Sequence, residues 1–155
     1  MNMKWMKIVP FAMAGLAMTA LISDDELSIA KTTSAPKSST RIAWRTSFAA
    51  AQAEARRTNK PLLVDFTAAW CTNCKALDAR TYTDANVIRE SKKFVAVKVD
   101  TDKDAATAKK YRVSSLPVVA VLKADGTMSS AFLGFRDAKG TTSFLQTAYA
   151  KARRK

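Results

Sequence analysis

The sequence predicts an α/β fold in which a central mixed β-sheet is flanked by helices. Three observations carry that prediction. Apolar runs of strand length, at residues 62–66, 94–99 and 118–122, alternate with stretches whose apolar residues recur at helical spacing. Ala124-Asp125-Gly126-Thr127 follows the last run, and Asp-Gly supplies the positive φ that a tight hairpin needs, so the next segment pairs back antiparallel. A length of 155 residues, with 48% apolar and 25% charged side chains, allows one globular domain with a real core.

The amino terminus differs from the rest. Lys4 and Lys7 precede residues 8–22, a stretch without charge, and Asp24, Asp25 and Glu26 follow. Residues 1–23 therefore read as a signal peptide or an N-terminal membrane anchor. The apolar stretch is shorter than the roughly 20 residues of a relaxed span, which favours a cleaved signal. Gly15-Leu16-Ala17 and Ser28-Ile29-Ala30 both have a small-x-small pattern, and neither stands at the usual distance from the apolar segment. Residues 24–41, with Ser34-Ala35-Pro36-Lys37-Ser38-Ser39, have almost nothing to bury and read as a flexible linker. Residues 42–155 form the folded domain.

Within that domain, residues 42–44 are expected as a short edge strand, and Thr46 as the cap of a helix running to Thr58 with Phe48, Ala51 and Ala55 on one face. Asn59-Lys60-Pro61 breaks this helix. Residues 62–66 are a continuous apolar run interrupted once, by Asp65, as expected of a central strand buried on both sides. A helix follows from the cysteines to Arg80, and Asp84 restarts or bends it through Val87 and Ile88. Residues 94–99 form the next strand, Asp102 or Asp104 opens a short helix to Tyr111, and Pro117 precedes the strand at 118–122. Residues 128–135 return antiparallel, and a last helix runs from Thr141 into a basic tail.

Cys71 and Cys74 are the chain's two cysteines, placed where the buried strand turns into a helix. A cysteine in the first turn of a helix faces unpaired amide hydrogens and the positive end of the dipole, which favour thiolate over thiol, so Cys71 is the candidate nucleophile. Cys74, one turn on, can close a disulfide and resolve a mixed one. Such exchange needs no metal or organic cofactor. A structural zinc site needs four ligands, and this chain has no other cysteine and no histidine. Covalent haem attachment needs histidine after the second cysteine, where Lys75 stands. A purely structural disulfide remains a rival, although so small a loop restrains the unfolded chain little. Export would place the pair in an oxidising compartment.

The formal charge is +13, from 26 basic and 13 acidic residues. The basic residues are scattered except at Lys151, Arg153, Arg154 and Lys155, a tail that complements the carboxyl end of a last helix. No stacking aromatics or recognition-helix pattern accompany them, so no nucleic-acid partner is expected.

Residues 63–66, then Trp70-Cys71-x-x-Cys74-Lys75, Lys98, and Leu116-Pro117 ahead of a strand resemble thioredoxin-fold proteins. Thr81-Tyr82-Thr83-Asp84-Ala85-Asn86-Val87 and Gly134-Phe135-Arg136-Asp137 are further similar to segments of the exported carboxyl-terminal domain of the thiol:disulfide interchange protein DsbD. The resemblance covers residues 42–150 and implies a thioredoxin-like fold. It makes Asp65 the buried acid beneath the disulfide, which handles the proton of the inner thiol. Asp78 matches a second acid, with a solvated helix aspartate as the other reading. Lys98 matches a lysine beside the buried acid, or is an exposed strand lysine. By the same analogy Pro117 is cis and faces the disulfide, and Leu116 offers backbone groups to an extended partner. Trp70 packs against the site or serves the core.

These expectations describe an exported thiol:disulfide oxidoreductase, periplasmic or anchored to the membrane and facing outward. Its partners would be protein thiols and disulfides of the cell envelope and an electron donor or acceptor protein, with a reductant or relay role implied by the resemblance. A disulfide oxidase or isomerase and a non-catalytic binding module are the alternatives. Thr72-Asn73 is neither the Gly-Pro of reducing thioredoxins nor the Pro-His of strong oxidants, so the motif leaves direction open.

Overall fold

The computed structural model describes residues 40–154. The expected signal or anchor, and all but the last two residues of the expected linker, lie outside the described residues. The elements run α1 (Phe48–Thr58), β1 (Leu62–Thr67), α2 (Thr72–Ala76), a π-helical turn (Leu77–Thr81), α3 (Ala85–Ser91), β2 (Val95–Asp100), α4 (Ala105–Lys110), β3 (Val118–Leu122), β4 (Met128–Leu133) and α5 (Ala138–Ala152). The sheet order is β2-β1-β3-β4. β1 lies parallel to β2 and antiparallel to β3, and β4 returns antiparallel to β3. The sheet is therefore mixed, as the sequence predicts.

β1 occupies the interior of this sheet because its side chains can be buried on both faces. Period-two alternation sends Leu62, Val64 and Phe66 to one face, where they pack with Phe48, Ala51 and Ala55 of α1. The small alanines let that helix approach closely. Leu63 goes to the other face, with Leu77, Val87, Ile88 and Leu145 from the helices on that side. Asp65 shares the parity of Leu63, so a carboxylate is forced onto the face covered by the π turn, α3 and α5.

Four expectations need correction. The edge strand at 42–44 is reduced to one parallel bridge between Arg45 and Val97, with Arg45 N–H donating to Ala96 O at 2.9 Å and Lys98 N–H to Arg45 O at 3.0 Å. One bridge suffices because Ile42 and Trp44 already anchor the segment in the core. The cap of α1 is Ser47, which accepts from Ala50 N–H at 3.3 Å, rather than Thr46. The last helix starts at Ala138, three residues early, because Asp137 accepts from Gly140 N–H at 2.7 Å and opens it. The helix after the cysteines widens into a π turn, with Tyr82 N–H donating to Leu77 O at 2.9 Å, before Asp84 caps α3. Asp104, and not Asp102, caps α4. In the hairpin, Gly126 alone takes the positive φ, at 93°, and an added Cβ there would meet the Gln52 side chain at 2.0 Å.

The cap assignment is checkable. Ser47→Ala is expected to lower stability by about 1 kcal/mol in urea denaturation, whereas Thr46→Ala should leave the midpoint unchanged. The opposite pattern would return the cap to Thr46.

Candidate active site

Where β1 ends, the chain turns at Ala68 and enters α2 with Cys71 as its N-cap. The Cys71 sulfur accepts from Cys74 N–H at 3.2 Å, a contact that favours negative charge on that sulfur. Cys71 and Cys74 form a disulfide with Cα atoms 5.3 Å apart. Both are buried, and they cluster with Ala68 and with Leu116, which packs against them. Burial barely distinguishes the two cysteines; the amide contact does. Leu116–Pro117 is a cis peptide, as the resemblance implies. Gly134, at φ 87°, donates its N–H to Pro117 O at 2.8 Å and ties the end of β4 to this loop.

A second group assembles on the α3 and α5 side of the sheet. Asp65 stands in register with Lys98 on β2, and the Lys98 ammonium lies 3.1 Å from the Asp65 carboxylate. The same ammonium contacts Asp78 of the π turn. Lys98 also lies 5.3 Å from the Trp44 ring centre and 5.4 Å from that of Tyr82, and these rings meet edge to face at 5.1 Å. Widening the helix at Leu77–Thr81 puts Asp78 and Tyr82 over one lysine. Thr81 fixes the turn by donating to Arg136 O at 2.7 Å.

Burial pushes the Asp65 carboxyl up to about 6, and the Lys98 ammonium resists that rise. Neither Asp65 oxygen meets hydrogen-bond geometry with a described residue, although the Tyr82 hydroxyl lies close enough for each group to perturb the other. Tyr82 is raised well above the ordinary tyrosine range, first by burial and then by the charges of Asp65 and Asp78. Asp65 therefore holds its proton to higher pH than an ordinary aspartate, as a proton donor and acceptor must.

The expected site residues thus fall into two groups. Cys71, Cys74, Leu116 and Pro117 gather at the turn after β1, and Asp65, Lys98 and Asp78 gather beneath the sheet face. Lys98 is not an exposed strand lysine, and Asp78 is ion-paired rather than merely solvated. Trp70 is 67% exposed, which removes the core role. Its ring N–H donates to Asp102 at 3.0 Å, so the indole is held at the rim of the turn. Trp44, Tyr82 and Asp102 are not among the expected site residues. Tyr82 had a signal, since it follows Asp78 by one turn; the placing of Trp44 and Asp102 depends on tertiary packing.

Residues 43–124 match the family model described as thioredoxin-like. The chain is 33% identical over 92 residues to the thiol:disulfide interchange protein DsbD of Campylobacter jejuni, covering 57% of this chain and 16% of that protein. It is 36% identical over 86 residues to the mitochondrial thioredoxin of Mus musculus, covering 56% of this chain and 50% of the relative. The chain thus spans half or less of the length of these relatives. Among solved structures, the oxidised DsbD C-terminal domain of Neisseria meningitidis superimposes with a TM-score of 0.59 at 26% identity, covering 68% of this chain and 99% of that domain. A family match that spans the disulfide turn and the first three strands, and a solved domain that superimposes over nearly all its length, assign the chain to the thioredoxin-like family.

Proposed function

We propose that the chain is an exported oxidoreductase that carries electrons to disulfides of envelope proteins, as a reductant or relay. The observation that supports this most is the Cys71–Cys74 disulfide at the turn after β1, with Cys71 capping α2 and its sulfur accepting from Cys74 N–H. In the reduced protein, the Cys71 thiolate attacks a partner disulfide, forms a mixed disulfide and releases one partner thiolate. The Cys74 thiol then gives its proton to Asp65 and its sulfur attacks Cys71, forming the intramolecular disulfide and releasing the second partner thiolate. Two electrons pass to the partner, and Lys98, with Asp78, steadies the Asp65 charge. Leu116, Pro117 and the exposed Trp70 frame the partner's extended segment. The likeness to a DsbD C-terminal domain favours the reducing direction, and the apolar segment at 8–22 favours export.

Partner capture tests the assignment of roles. Cys74→Ala is expected to accumulate disulfide-linked adducts with envelope proteins through Cys71, visible on non-reducing gels and absent from the Cys71→Ala variant. A folded Cys74→Ala protein that forms no adducts would overturn it.

Asp65 has a separate consequence for stability. Its proton is held more tightly in the folded protein than in the unfolded chain, so stability falls as pH rises from the ordinary aspartate range to about 6. Above that value the penalty for the buried charge is complete, on the order of 3 kcal/mol. Asp65→Asn should therefore be more stable than the parent in urea at pH 8, with most of the gain gone at pH 4. Exchange with a protein disulfide should slow in the same variant. Equal midpoints at pH 8 would show that Asp65 carries no such penalty.

A further inference from the structure

We propose that the pole of the domain opposite the disulfide is a docking surface for an anionic phospholipid membrane. The topology defines that pole. β1 and β2 begin there, β3 ends there, and α1, α3 and α5 all deliver their carboxyl ends to it, whereas the disulfide follows the far end of β1. The segments meet: Arg153 donates to Asn59 O at 2.9 Å, Lys123 to Arg154 O at 3.2 Å, and Val95 N–H to Pro61 O at 2.9 Å. Lys60, Ser91 and Lys92 line one shallow cavity between the ends of α1 and α3.

Each element that reaches this pole ends in bases. α1 closes with Arg56 and Arg57 and is followed by Lys60, all exposed. The end of α3 carries Arg89, then Lys92 and Lys93, and that of α5 carries Lys151, then Arg153 and Arg154, again all exposed. Lys123 at the end of β3 adds to them. Among the described residues, the acids at this pole are Glu90, buried and paired with Lys93 at 2.6 Å, and Asp125. Glu54, a turn earlier on α1, is held by Arg45 at 2.6 and 2.9 Å. Helix dipoles call for one or two bases at each carboxyl end, but the run continues past the helices into every following loop.

Charge and shape choose the partner. The bases are spread over the ends of several elements rather than along a groove that could track a nucleic-acid backbone. Of the exposed large apolar side chains described, Trp70, Leu133 and Phe135 lie at the disulfide end, so no exposed aromatic is available to stack on bases at the basic pole. Met128, at the start of β4, stands there 39% exposed and can enter a headgroup layer. Bases near an anionic bilayer each contribute about 1 kcal/mol, and the attraction falls with salt. Docked in this way, the protein presents Cys71 and Cys74 away from the bilayer, to soluble partners. The inference stands independently of the proposed electron-transfer role.

The full chain is tested by co-sedimentation with vesicles of phosphatidylglycerol mixed into phosphatidylcholine, against phosphatidylcholine alone. Among the described residues, the side chains of Arg57, Lys60 and Lys92 make no hydrogen bond or ion pair, and Arg57 and Lys60 act on Glu54 only through their charge, Glu54 itself being held by Arg45. The joint change of all three to Gln is expected to lower partitioning onto the anionic vesicles on the order of a hundredfold. The same loss of charge at the other end, Lys75→Gln with Lys103→Gln and Lys139→Gln, should change it little. Equal losses in the two triple variants would show that net charge alone acts, and tighter binding to duplex DNA than to the vesicles would replace lipid by nucleic acid; either overturns the proposal. If the apolar segment holds every variant on the vesicles, headgroup spin labels decide. They should broaden the amide signals of Lys60, Lys92 and Arg154 more than those of residues 70–74, and the reverse order overturns the proposal.

Discussion

A carboxylate placed in the central strand of a sheet must find a partner or lose its charge, and the arrangement around Asp65 follows from that constraint. Strand alternation fixes the face on which it emerges, and the parallel register with β2 puts Lys98 directly beside it. One ammonium does not satisfy a buried carboxylate, so Asp65 keeps a raised affinity for its proton. The surrounding elements are then constrained in turn. The helix carrying the cysteines must bring Asp78 to the same lysine, and the segment before α1 must bring Trp44 over it. The π turn carries Asp78 and ends at Tyr82, and both stand beside that lysine. Fold and chemistry meet at one charge pair.

The cysteine turn uses a different economy. Its helix is short, and Cys71 itself takes the position that serine or aspartate usually fills at an N-cap. The sulfur thus does the capping and is stabilised as an anion by the same contact. In the disulfide state the interaction is weak, because a bridged sulfur is a poor acceptor. It strengthens when the bond opens, which favours the reactive form of Cys71 over that of Cys74.

Much of this was legible before any coordinates. The apolar run at 62–66, interrupted once by Asp65, marks the central strand, and the resemblance to thioredoxin-fold proteins marks that aspartate as the buried acid. Phe48, Ala51 and Ala55 defined the buried face of α1 by spacing alone. Other features were beyond reach. Thr46 and Ser47 are equally good caps locally, and the choice depends on where Arg45 is pinned to β2. Trp70 looked as suited to the core as to the rim, since nothing adjacent to it in the sequence says that Asp102, far along the chain, receives its ring N–H. The π turn has no composition of its own. It arises because Thr81 bonds to the chain after β4 and Tyr82 packs on Trp44, both of them tertiary contacts.

The same capping chemistry that builds the helices also sorts the charges. Asp84, Asp104 and Asp137 stand at the starts of α3, α4 and α5, where their oxygens receive amide hydrogens. These starts lie toward the disulfide end of the sheet, with Asp100 and Asp102 beside them. The carboxyl ends of α1, α3 and α5 lie at the other end and carry bases. A sheet whose helices run alongside it in a common direction therefore acquires a dipole from side chains laid over the backbone dipole. Local capping requires only a few of these charges. The remaining bases at Lys60, Lys92, Arg153 and Arg154 extend the positive pole beyond what the helices need, and like charges held together are costly unless something anionic is met there. In the proposed docking this asymmetry serves surface recognition, while the redox centre at the opposite pole is left free of it.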